Sequence, residues 1–296
     1  MVIWLMSATM FVAGVSAQPV FRERNEGISF RDSLLYAILE RANFEQTEDY
    51  LPVLILSEQG IHENYYRETL LQTEAKFAKL PKRGKNFKLY VQSVFRFVHG
   101  TFLRKYVEYP TFAATLTKGN YDCLTATSLF AVIFKKLNIR FEIIEIKEHI
   151  YMLVYDDLNR RVLIESTDPV NGCVLFEADI HERLKEYEHK NRKIVSDLIT
   201  EDDYSQTVDF KQLAGLHFFN QAVKAFNLGD FPRSVDFLKT ADTLYPSKRI
   251  SALMVLSLDA ISSKRNLHGE QKRAIMEKYK KHYENVKDTH AIVSAN

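Results

Sequence analysis

Lys118-Gly119-Asn120-Tyr121-Asp122-Cys123 leads straight into an apolar run that includes Leu124, Leu129, Phe130, Ala131, Val132, Ile133, Phe134 and Leu137. The run is too continuous for a surface helix and predicts a helix buried in the core. Gly119 and Asn120 supply the turn that precedes it. Cys123 then stands at the first helical turn, where unpaired backbone N–H groups and the positive end of the helix dipole favour thiolate over thiol. A nucleophile belongs in such a place.

Downstream, Arg140 to Ile146, His149 to Tyr155 and Arg161 to Glu165 have strand composition, and Asp156-Asp157-Leu158-Asn159 is a hairpin turn between the second and third. The order is a helix followed by three antiparallel strands. Cys123 sits on the helix tip, His149 opens one strand, and an acid, Glu165 or Asp168, closes the next. The three meet at one end of a sheet packed on the helix. Their chemistry is complementary: a thiolate nucleophile, an imidazole that takes and returns a proton, and a carboxylate that fixes the imidazole's tautomer.

Three blocks carry a family resemblance: Gly119-Asn120-Tyr121-Asp122-Cys123-Leu124-Thr125-Ala126-Thr127-Ser128-Leu129-Phe130, Glu148-His149-Ile150-Tyr151-Met152-Leu153-Val154, and Leu163-Ile164-Glu165-Ser166-Thr167-Asp168-Pro169. In this order they resemble the core motifs of the transglutaminase-like superfamily, over about residues 86 to 180. The resemblance implies an α+β, papain-like core, a buried helix on a small antiparallel sheet, with Cys123 as nucleophile and His149 as general base and acid. Motif alignment makes Glu165 the third member, whereas Asp168 offers the family's usual side chain three residues later. It also implies attack on an amide or related acyl carbonyl of a protein or peptide, with hydrolysis ahead of cross-linking. The backbone N–H of Cys123 is one oxyanion donor, and the sequence does not identify the second. A catalytically silent protein, using the same fold to recognise a peptide or envelope partner, is the competing expectation.

The 296-residue chain is 46% hydrophobic, enough for one full core plus a smaller module. Forty Lys and Arg against 38 Asp and Glu leave no large field, which argues against nucleic acid as a partner. Two cysteines, Cys123 and Cys173, cannot build a disulfide scaffold or a multi-cysteine zinc site. Cys173 reads as a packed residue, with a disulfide to Cys123 as the alternative. The nine histidines show no paired ligand spacing, and no Gly-rich phosphate loop occurs. The sequence therefore implies no metal and no organic cofactor.

Residues 1–17 read as a signal peptide. Val2 to Val15 is apolar, and Val15-Ser16-Ala17 precedes Gln18-Pro19, but no basic residue occurs before Arg22. Cleavage after Ala17 makes the protein exported, periplasmic or extracellular; without cleavage the segment is a membrane anchor. Residues 25–200 form the transglutaminase-like domain with its N-terminal helices. Ser29 caps a helix carrying Phe30, Leu34, Leu35, Ile38 and Leu39; a second runs from about His62 to Leu80; a third runs from Asn86 to about His99, and Phe102 to Tyr109 then leads to Pro110. His99 reads as a packed histidine, and Lys82 to Lys85 as a solvated loop.

Beyond Glu201-Asp202-Asp203, residues 205–296 read as wholly helical. Phe218, Ala222, Ala225, Phe226, Gly229-Asp230-Phe231, Ser234, Val235, Phe237, Ala241, Leu244 and Pro246 resemble one tetratricopeptide repeat over about 215 to 248, with Gln221 and Ser234 departing from its pattern. A second pair follows through Ser251 to Ser262 and Gln271 to Val286. These helices brace the first domain or bind a protein partner.

Overall fold

The computed structural model describes residues 29–41, 47–147, 149–195 and 205–263. The segment read as a signal peptide and the stretch Gln271 to Val286 lie outside them.

Four helices precede the site: α1 (Phe30–Arg41), α2 (Thr47–Ile55), α3 (Glu63–Phe77) and α4 (Phe87–Thr101). Three of their starts are capped by side chains that accept a backbone N–H three residues on, Ser29 Oγ from Asp32, His62 Nδ1 from Tyr65 and Asn86 Oδ1 from Leu89, at 3.1–3.2 Å. Sequence reading assigns no element to α2, whose Leu51-Pro52-Val53-Leu54-Ile55-Leu56 has no helical period and contains a proline. The reason is burial on every side, since Val53, Leu54, Ile55 and Leu56 are all sealed in the core. The third predicted helix, Asn86 to about His99, corresponds to α4. It stops at Thr101, and the chain forms β1 (Lys105–Tyr106), α5 (Phe112–Lys118) and β2 (Asn120–Tyr121), with β1 and β2 paired in parallel.

Next comes α6 (Cys123–Lys136), closed at its start by a capping box: Asp122 Oδ1 accepts the N–H of Thr125 at 2.8 Å, and Thr125 Oγ1 accepts that of Asp122 at 3.0 Å. Every residue from Leu124 to Phe134 is buried. Phe130 stacks on Phe95 of α4 and on Phe134, with centroids 5.5 and 5.8 Å apart.

The sheet lies over α6. Its strands are β3 (Arg140–Ile146), β4 (His149–Tyr155), β5 (Arg161–Ile164), β6 (Cys173–Val174) and, after α7 (Glu177–Val195), β7 (Ser205–Val208). The spatial order is β6-β5-β4-β3-β7, antiparallel throughout. Helix α6 packs on one face, and Ile180, Leu184 and Tyr187 of α7 join a smaller apolar cluster on the other. The chain is thus α+β, with a small antiparallel sheet and a helical C-terminal region.

That region comprises α8 (Phe210–Asn227), α9 (Phe231–Leu244) and α10 (Lys248–Ser263). Helices α8 and α9 form a hairpin around Gly229, whose φ of 73° suits glycine. Gly215 allows the close approach, since a Cβ there would lie 2.6 Å from Cβ of Tyr245. Residues 205–263 also share the main core. Strand β7 borders β3, Phe210 stacks on Tyr50 at 3.8 Å, and buried Glu145 of β3 accepts from Tyr245 Oη at 2.7 Å and from Arg249.

His217 of α8 is wholly buried, with Nε2 2.7 Å from Ser128 Oγ of α6. Ser128 spends its proton on the carbonyl of Leu124 at 2.7 Å, so His217 is the donor. Burial alone pulls its pKa down to about 3 from the ordinary 6.5. The folded value lies below the unfolded one, so this stability is complete above pH 6.5 and is lost as the pH falls towards 3. At pH 5 the loss is about 2 kcal/mol. Urea unfolding at pH 7.5 and pH 5 checks this: His217→Gln, which cannot charge, loses less stability on acidification than the parent.

Candidate active site

Gly119 ends α5 with φ 77°, and a Cβ there would lie 2.7 Å from Cγ of Arg104 and 2.9 Å from the Phe102 carbonyl. This tight turn delivers β2 and then Cys123, the first residue of α6. The N–H groups of Cys123 and Leu124 face the thiol, as the helix-tip argument predicts, but they do not decide its charge. Burial, reinforced by the nearby carboxylates of Asp122 and Glu165, outweighs them and pushes the thiol up to about 12. The expected preference for thiolate is therefore corrected: the resting thiol is protonated.

His149 opens β4 opposite Ile146 and is about a quarter exposed. Glu165 follows the last residue of β5 and is buried. The two meet, with His149 Nε2 2.6 Å from Glu165 Oε2. Glu165 Oε1 accepts from Thr167 Oγ1 at 2.7 Å and from the Thr167 N–H at 3.3 Å, and Oε2 also accepts from Tyr187 Oη at 2.7 Å. Burial acts to raise the Glu165 pKa, but the His149 hydrogen bond and charge, with the Thr167 and Tyr187 bonds, hold it at about 2. A carboxylate accepts only, so His149 carries its proton on Nε2 and leaves Nδ1 for a reaction partner.

Asp168 does not meet His149. Its Oδ1 accepts the N–H groups of Val170 and Asn171 at 3.0 and 2.9 Å, which builds the turn between β5 and β6. The turn is tied to α6 through Ser166, whose Oγ lies 2.8 Å from Thr127 Oγ1 and 3.3 Å from the Cys123 carbonyl. The nucleophile's helix and the acid's loop are thereby clamped together. Cys173 pairs with Ile164 in the sheet, and both cysteines are free thiols. Burial pushes Cys173 to about 12 as well, against a lowering influence from Arg96.

Three contributors escape a reading of the sequence. Tyr106 is exposed on β1, where burial and then the nearby Cys123 and Asp122 raise its phenol. Thr167 lies inside the third quoted block without a role assigned to it. Tyr187 has only the spacing Ile180, Leu184, Tyr187 as a signal, which marks a helix face and no chemistry. His99 packs 4.5 Å from Phe95, and burial takes its pKa down to about 4.

Among the described residues no group of three or more His, Cys, Asp or Glu could hold a metal ion, and no helix is long and apolar enough to cross a membrane. A cleft of about 910 Å³ lies at the other end of α6, lined in part by Lys135, Arg140, Phe141, Tyr155 and Phe210. Lys135 lies twelve residue steps along α6 from Cys123, or roughly 18 Å.

No protein-family model and no curated protein matches the chain. Among solved structures, it is similar to menin, from the crystal structure that reveals the binding site for Mixed Lineage Leukemia (MLL) protein. The TM-score is 0.39 at 13% identity, over 85% of this chain and 67% of that one.

Proposed function

We propose that the chain is a transglutaminase-like thiol enzyme with a papain-like core, acting on amide or related acyl bonds of a protein or peptide. The observation that supports this is the His149–Glu165 pair, held at 2.6 Å, with the Glu165 carboxylate close enough to Cys123 at the start of α6 to raise its thiol. His149 Nδ1 takes the Sγ proton as sulfur attacks the acyl carbon, and backbone N–H groups at the start of α6 stabilise the oxyanion. The imidazolium then protonates the leaving amine, which gives a thioester on Cys123. Water, deprotonated by His149, attacks the thioester and releases a carboxylic acid and the free thiol. We read hydrolysis ahead of transfer to an amine, export through the N-terminal segment, and a brace or partner-binding role for the tetratricopeptide-like helices.

A second reading has an observation of its own. The thiol is partly buried with its pKa raised, and the 910 Å³ cleft lies away from it, as suits a silent binding protein. One experiment separates the two. Glutamine-containing peptides and p-nitrophenyl acetate are offered with hydroxylamine as acceptor, and hydroxamate is measured for the parent and for Cys123→Ala. Hydroxamate above the Cys123→Ala background supports the enzyme; none above that background from any donor supports the binding protein.

A further inference from the structure

We propose that Tyr187 is a positioning residue of this site, its hydroxyl holding the Glu165 oxygen that receives His149. The inference rests on the reading of His149 as the base.

Helix α7 covers the sheet face opposite α6 with a narrow stripe. Ile180, Leu184 and Tyr187 pack on a cluster that includes Ile144, Ile146, Tyr151, Leu153 and Leu163. Tyr187 carries the stripe to the site, its ring 4.8 Å from that of Tyr151 and 5.5 Å from that of His149. A phenylalanine would fill the same apolar place. The hydroxyl answers a different need, because a buried carboxylate must have its lone pairs satisfied. Thr167 serves Oε1, and among the described residues Oε2 is shared by His149 and Tyr187. Three side-chain donors, from β4, α7 and the turn after β5, together with the Thr167 N–H, fix the plane of one carboxylate.

The charged neighbours are consistent with this arrangement. Cys123 of α6 faces Glu165, Arg183 of α7 faces the Tyr187 hydroxyl, and Glu188 and Arg161 face Tyr151. Burial, then the Glu165 charge, raises the Tyr187 pKa, so the phenol stays a donor throughout the working range. Removing it leaves Oε2 with one donor and a vacancy that water or rotation of the carboxyl must fill. The orientation of the acid is therefore conditional on the docking of α7.

Tyr187→Phe tests this, with Tyr151→Phe as a control that removes a hydroxyl from the same cluster. In the full chain near neutral pH, solvent exchange of the His149 Nε2–H, followed by NMR, is expected to speed up by about tenfold in Tyr187→Phe and to stay unchanged in Tyr151→Phe. One hydrogen bond to a charged group is worth about that factor or more. With p-nitrophenyl acetate, kcat is expected to fall about tenfold at constant KM. An Nε2–H exchange unmoved in Tyr187→Phe, or moved equally by Tyr151→Phe, overturns the proposal. Faster exchange in a protein whose parent never acylates upholds the positioning and overturns the enzymatic reading alone.

Discussion

His149→Ala is expected to slow acylation of Cys123 by p-nitrophenyl acetate about 10³-fold at pH 7. The size follows from the burial of the thiol. A thiol pushed so far up is scarcely ionised at pH 7, so a helix tip alone supplies almost no nucleophile. Under the proposed role of His149 as base, a local proton transfer, worth about 10²–10⁴, replaces that equilibrium. The pH profile gives a second signature. Without the imidazole the residual reaction needs pre-formed thiolate, so its rate rises about tenfold per pH unit with no plateau in the neutral range. Stopped-flow release of p-nitrophenol from pH 6 to 9 measures both. A rate unchanged by the substitution contradicts the assignment of His149.

Gly172→Ala removes the site without touching any of its reacting groups. A Cβ at Gly172 would lie 2.1 Å from the Glu165 carbonyl oxygen and 2.4 Å from that of Asp168, and neither backbone atom can swing away. The same glycine accepts the Glu165 N–H at 2.7 Å and donates to Asp168 at 2.9 Å, so relief of the clash breaks the bonds that hold the acid's loop. The expected cost is about 2–3 kcal/mol of stability, the upper part of the range for overpacking. Acylation is expected to fall about 10²-fold, because a displacement of about 1 Å in a catalytic group costs that much. Urea unfolding and the p-nitrophenol assay report the two effects separately. A variant of parental stability and rate shows that the loop tolerates the methyl group and that Glu165 is not held by it.

Much of the central architecture is legible in the residues themselves. Leu124 to Phe134 announces a buried helix because no polar face interrupts it, and the strands from Arg140 and His149 show in their β-branched and aromatic content. The missing elements fail for separate physical reasons. Helix α2 has no period because it is buried all round, α5 is a seven-residue helix whose start rests on Thr111, and β6 and β7 are too short to carry an alternation. Helix α7 is mostly charged and keeps only a stripe of contacts. The site divides in the same way. Cys123, His149 and Glu165 stand in blocks that can be read, whereas the charge of the thiol depends on Asp122, Glu165 and desolvation, none of which a local helix-dipole argument includes. Choosing Glu165 over Asp168 needed the turn, since only the fold shows the Asp168 carboxylate taken up by Val170 and Asn171.

The two cysteines offer an internal comparison for the central claim, that the His149–Glu165 pair activates Cys123. Burial pushes both thiols to about 12 and both are partly accessible, but the Glu165 charge acts on Cys123 and Arg96 on Cys173. The measurement is the rate of iodoacetamide labelling at each cysteine in the folded chain at pH 7.5, resolved by peptide mass mapping, for the parent and for His149→Ala. Cys123 should react at least about 10²-fold faster than Cys173 in the parent, and the two should react at similar rates once the imidazole is gone. Equal rates in the parent, or a Cys123 advantage that survives His149→Ala, would contradict the account.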